Sequence, residues 1–165
     1  MADPALYAAA RDLLFREARL LDERKWRQWL DLYCEDAVFW APATKMTGGY
    51  TEDPERELNF IYIKGRVGLE ARIFRLDTHT SIASTPPPRT THLVTGVAID
   101  AADATEVATF ATWQVASFSE QRGQQIRSGS YAHILRHEDG RLRIAQKKIL
   151  LLEYVIDGYF DVYTI

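Results

Sequence analysis

The sequence holds a single cysteine among its 165 residues. That excludes a disulfide within the chain. It also excludes any metal site built on paired cysteines, including a Rieske cluster, which needs two Cys and two His ligands. No apolar run approaches the ~20 residues that cross a bilayer. The opening "MADPALYAAARD" carries acids early and lacks the basic-then-apolar order of a secretory signal. Charge of either sign is not in excess: 20 Lys and Arg stand against 23 Asp and Glu, which leaves no footprint for nucleic acid. A Gly-rich phosphate loop and a Gly-x-Ser-x-Gly elbow are both missing. Together these absences predict a cytoplasmic protein with neither a membrane nor a nucleic-acid partner.

What is present is core-forming material. Apolar residues make up 47% of the chain, enough for one domain over residues 1–165. Asp3 reads as a helix N-cap and Pro4 as the first helical residue. Leu6, Ala10, Leu13, Leu14, Ala18 and Leu21 then recur at helical steps. A shorter helix is expected from Arg24 to Tyr33, burying Trp26, Trp29, Leu30 and Tyr33. "DAVFWAP" reads as a strand ending at Pro42. Residues 44–57 form a loop, and "LNFIYIKG" is ambiguous between strand and helix. "GLEARIFRL" is helical, with Leu69, Ile73 and Leu76 on one side.

Beyond the connector "DTHTSIASTPPP" lie four stretches rich in β-branched and aromatic residues: Thr90–Asp100, Glu106–Glu120, Gln125–Glu138 and Arg141–Ile156. Turn signals separate them, the strongest being Asp139-Gly140. Helices first and a long meander afterwards predict an α+β domain, with a curved antiparallel sheet wrapped around the N-terminal helices.

Few residues offer chemistry. Cys34 reads as a small buried apolar residue. His133 and His137 would lie ~13 Å apart on a strand, too far to share a metal. His79 and His92 flank the proline connector. With Asp22 or Asp36 they can form a general acid–base set or a two-His-one-carboxylate metal site, or they can serve as polar groups at an interface. Trp26, Trp29, Tyr33, Phe39 and Trp40 suit a core or a pocket lining. Arg72 and Arg75 suit a solvated face, a subunit salt bridge or an acid. In "ILLLEYVIDGYF" both parities of a strand are apolar, so Leu151, Leu152 and Tyr154 are expected to face another subunit.

The chain resembles the small (β) subunit of aromatic-ring-hydroxylating dioxygenases. The likeness runs from "LLFREARLLDERKWRQWLDLYCEDAVFWAP" through "LEARIFRLDT" and "TPPPRTTHLVTGVAI" to "RLRIAQKKILLLEYVIDGYFDVYTI". Pro88 departs from the family's usual Ser, and Gly96 from its frequent Asn. The resemblance implies a cystatin-like cone. It implies a partner α subunit, three of each forming a hexamer, which carries a Rieske [2Fe–2S] cluster and a mononuclear Fe(II). Electrons would come from NAD(P)H through a reductase, and both atoms of O₂ would enter an aromatic ring as a cis-dihydrodiol. The ending "LLEYVIDGYFDVYTI" resembles small subunits for benzoate-type acids more than those for biphenyl or naphthalene. No catalytic, cofactor or metal residue is then expected in this chain, whose role is structural. Arg72, Arg75, Pro86, Pro87, Arg89, His92, Leu151, Leu152 and Tyr154 are the expected subunit interface, with the prolines as a rigid hand-over. The alternatives are a stand-alone cone-shaped isomerase, dehydratase or cyclase with an Asp/His pair, and a non-catalytic ligand-binding domain.

Overall fold

Asp3 opens the first helix, α1 (Pro4–Asp22), by accepting a hydrogen bond from the Ala5 N–H at 3.0 Å. A computed structural model describes residues 3–78, 86–158 and 160–165, so His79 lies outside the described residues. The buried face of α1 is the expected stripe of Ala10, Leu13, Leu14, Ala18 and Leu21, with Leu20 and Glu17 added. Helix α2 (Trp26–Leu30) is shorter than its sequence suggests. Arg24, at φ 54°, breaks the chain before it. Tyr33 is claimed by the following strand, β1 (Tyr33–Pro42), where it pairs with Ile144. Long-range pairing thus overrides local helical spacing, although Trp29, Leu30 and Tyr33 are all buried as expected.

"LNFIYIKG" resolves as strand β2 (Asn59–Lys64), antiparallel to β1. Helix α3 (Arg66–Asp77) follows and buries Leu69 and Ile73. The four long stretches become β3 (Arg89–Ala102), β4 (Glu106–Ser119), β5 (Gly123–Glu138) and β6 (Arg141–Leu151). The sheet order is β2-β1-β6-β5-β4-β3. Every pair is antiparallel except β1–β6, which is parallel. No hairpin joins those two strands, so nothing local fixes their direction.

Alternation along β4 and β5 puts Val107, Ala111, Trp113, Val115, Tyr131 and Leu135 on the inner face against α1. Phe110, Thr112, Gln114, Phe118 and Ile126 point out. The last strand corrects one expectation. It stops at Leu151, five residues short of Ile156. Leu151 is fully buried, whereas Leu152 is 68% exposed, Tyr154 58% and Val155 80%. Apolar residues on both parities therefore mark a strand that ends and releases an apolar segment, not one buried on both faces. Val162, Tyr163, Thr164 and Ile165 then fold back into the core. No helix among the described residues is long and apolar enough to cross a membrane.

Candidate functional site

The inner face carries a charged centre. Glu17 lies on the apolar stripe of α1, three and four residues from Leu14 and Leu13, so helical spacing drives it inward. Lys147 shares the parity of Ile149 and Leu151 on β6 and also points inward. The two meet at 2.8 and 3.0 Å, both almost fully buried. Glu17 also accepts hydrogen bonds from the Tyr33 hydroxyl at 2.6 Å and from Trp29 Nε1 at 3.3 Å. Burial alone would push the Glu17 carboxyl up, but Lys147, His133 and Tyr33 together hold it below its ordinary value. Burial pulls Lys147 down, and Glu17 opposes that. The Lys147 ammonium also sits 4.3 Å from the Tyr131 ring centroid. With all these donors on one carboxylate, the centre ties α1, α2, β1 and β6 together.

Beside it, Trp113 stacks on Tyr131 at 5.3 Å, and Tyr131 meets His133 edge-on at 5.4 Å. His133 is fully buried, and desolvation pushes its pKa down to about 3, so the ring is neutral at ordinary pH.

A second cluster lies where α1 ends. Asp22 accepts from His92 Nδ1 at 2.6 Å, from the His92 backbone N–H at 2.9 Å and from the Thr90 hydroxyl at 2.9 Å. Burial raises its carboxyl, but these bonds outweigh burial and its pKa falls below the ordinary value. An ionised carboxylate can only accept, so His92 Nδ1 carries the proton. The His92 side chain is 1% exposed, and Nε2 is enclosed without a hydrogen-bond partner. Two residues on, Arg24 donates to the carbonyls of Pro87 and Pro88 at 3.2 and 3.0 Å. The end of α1 therefore clasps both the proline connector and the start of β3.

Of the residues expected at an interface, Pro86, Arg75 and Arg89 are exposed and Pro87 is half-buried. Arg89 stacks over Phe118 at 5.3 Å. Arg72 pairs with Asp161 within the chain at 2.8 Å. Leu152 and Tyr154 are exposed, but Leu151 and the His92 ring lie inside the fold. Asp36, the other carboxylate considered for the histidines, pairs instead with Arg136 at 2.8 Å.

Among the described residues, the donor sets of a Rieske cluster and of a mononuclear iron do not come together. A Rieske cluster needs two thiolates, and Cys34 is the one cysteine. Burial, then a hydrogen bond with Glu138, pushes its thiol up to about 12. Among the described residues, no two histidines share a carboxylate: His92 faces Asp22, His133 is enclosed, and His137 is exposed on the same strand. Cys34, Asp36 and Glu138 do converge, but one high-pKa thiol with two carboxylates is neither of those sets.

From sequence, His133 is weighed only as a metal partner of His137, and Lys147 is not singled out. For His133 a signal was present: it shares the strand parity of Tyr131 and Leu135, which puts a polar ring in the core.

These features define a class first: an α+β cone whose curved sheet closes over a polar-centred core, with a helix-end clasp on its edge strand. The chain belongs to the ring hydroxylating beta subunit family, whose model matches residues 16–158. It is 36% identical over 152 residues to the 2-halobenzoate 1,2-dioxygenase small subunit of Burkholderia cepacia, covering 92% of each chain. It is 31% identical to the beta subunit of the benzoate 1,2-dioxygenase from Burkholderia mallei, with a TM-score of 0.77 over 100% of this chain and 99% of that one. A putative scytalone dehydratase from Novosphingobium aromaticivorans shares the fold, with a TM-score of 0.68 at 16% identity over 94% and 91% of the two chains.

Proposed function

We propose that this chain is the structural β subunit of a dioxygenase that dihydroxylates a benzoate-type aromatic acid. The Rieske cluster and the mononuclear iron belong to a partner α subunit, and NAD(P)H supplies electrons through a reductase. A cytoplasmic location goes with that electron source. The observation that carries this reading is the state of the chain's own ionisable groups. Glu17 and Lys147 are saturated with each other, Asp22 is saturated by three donors, and Cys34 is held as a thiol. The benzoate-type substrate is supported by the halobenzoate and benzoate dioxygenases among its relatives.

The test is co-expression with a Rieske-type α subunit from the same source. The two chains should co-elute as one hetero-oligomer of three α and three β, with all the iron bound to α. Separate elution, or iron bound stoichiometrically by this chain alone, would contradict it.

Among the described residues, the Asp22–His92 pair is the feature that favours acid–base chemistry. Its enclosed Nε2 argues for a structural clasp, since a general base must reach the proton it takes.

A further inference from the structure

A trough crosses the exposed surface where the proline connector meets β4. One end, of about 470 Å³, is lined by Arg24, Pro86, Pro87, Arg89, Phe118 and Glu120 among others. A second hollow of about 200 Å³ shares Arg89 and Phe118 and runs on past Thr91 to Gln124. The two hollows adjoin, with the Arg89–Phe118 stack lining both.

Its border carries uncompensated positive charge. The whole sequence has a net charge of -3, yet two guanidinium groups border this trough without a carboxylate partner among the described residues. Arg24 is spent on the two proline carbonyls, which neutralise no charge. Arg89 lies flat on Phe118. Glu120 lines the same hollow but makes no ion pair with either. Nor can the neighbouring segment 79–85, "HTSIAST", supply an acid, because it contains none. By contrast Arg66, Arg72, Arg122, Arg136 and Arg143 each meet an Asp or Glu of this chain.

We infer that this trough docks an extended, acidic segment of the α subunit, with a carboxylate of that segment on Arg89. The inference rests on the β-subunit reading above and deepens it. Three features fit such an occupant. A guanidinium held against an aromatic face is oriented before binding and takes carboxylates in a planar fork. The prolines present a stiff apolar wall that loses little entropy on docking. Two adjoining open hollows, of about 470 and 200 Å³, leave room for successive side chains of a segment rather than for one small aromatic acid.

The test measures association of wild-type, Arg89→Glu, Arg89→Lys and Arg27→Glu chains with the α subunit over a range of salt. Arg27 is an exposed arginine that lines neither hollow and serves as the control. Arg89→Glu should weaken association by about tenfold or more and flatten its salt dependence, as expected for a reversed interfacial charge. Arg89→Lys should recover most of the affinity, and Arg27→Glu should match wild type. Arg89 is exposed, so the lone variants should unfold at the wild-type midpoint. Equal association of Arg89→Glu and wild type at every salt would overturn the docking site and leave the β-subunit reading intact. Failure of wild type itself to associate would overturn both. Millimolar benzoate that raises the unfolding temperature of the lone wild-type chain but not of Arg89→Glu, with α association unchanged, would make the trough a small-anion site and overturn docking.

Discussion

At the scale of single residues, the polar centre makes a pH prediction. His133 keeps its ring neutral down to about 3 in the folded chain, against an ordinary value of 6.5. Between those values the unfolded chain takes up a proton that the folded chain refuses. Stability therefore falls as pH falls from about 6.5, by up to ~1.4 kcal/mol per unit, and the His133 effect levels off below about 3. Glu17 and Asp22 are also depressed, so they act in the same direction at lower pH, as each is protonated first in the unfolded chain. Replacing His133 with Leu should flatten the limb between pH 6.5 and 5 in urea unfolding curves. A slope unchanged by the substitution would show that the ring titrates normally in the fold.

This scale was also the hardest to read from sequence. That His92 meets Asp22 was one of several arrangements open to it. Nothing in "AQKKIL" says which of two adjacent lysines turns inward. That is set by the register of β6 on β5, where Lys147 lies opposite His133 and Lys148 opposite Ala132. Lys148 faces out, over the ring of Trp40.

Among the elements, local chemistry decided more. Asp139 and Gly140 adopt φ of 51° and 74°, the left-handed pair that a tight hairpin demands, and the turn falls where the Asp-Gly pair predicted it. The expected helix over 24–33 is cut to Trp26–Leu30 because Tyr33 belongs to a pairing 111 residues away in sequence, with Ile144, which no local spacing encodes. Gly129 is a second long-range constraint. A Cβ there would lie 1.8 Å from the Leu150 carbonyl oxygen on the paired strand. Gly129→Ala should force β5 and β6 apart and lower the urea midpoint more than Gly140→Ala, whose open surroundings leave only a backbone cost of about 1 kcal/mol. Equal midpoints would mean that the strands can shift to accept the methyl.

The end of β6 gives a sharper contrast between neighbours. Leu151→Asp buries an unpaired charge and should abolish folding of the lone chain. Leu152→Asp should leave the lone chain folded, with a wild-type circular dichroism spectrum, and weaken assembly with the α subunit. A folded Leu151→Asp, or a Leu152→Asp that assembles as wild type, would count against the boundary drawn between core and interface.

For the whole molecule, the helices-then-meander order was enough to give the class of fold, and the quoted stretches were enough to give the family. The parallel β1–β6 pair and the fold-back of residues 161–165 were not legible, because both depend on how distant segments close over α1. The resulting chain is a core tied by the Glu17–Lys147 and Asp22–His92 contacts, with apolar and cationic groups left on the outside, among them Leu152, Tyr154, Val155, Arg89 and Phe118. That distribution is what a subunit built to be held by another chain requires. The most direct test is oxygen uptake with benzoate and a competent reductase, measured for the lone chain, the lone α subunit and the two together, each with wild-type and His92→Ala chains. The account predicts no uptake by the lone chain and full uptake only by the complex. His92→Ala should alter the yield or stability of that complex rather than its rate per assembled unit. Turnover by the lone chain that is lost in a well-folded His92→Ala variant would contradict it.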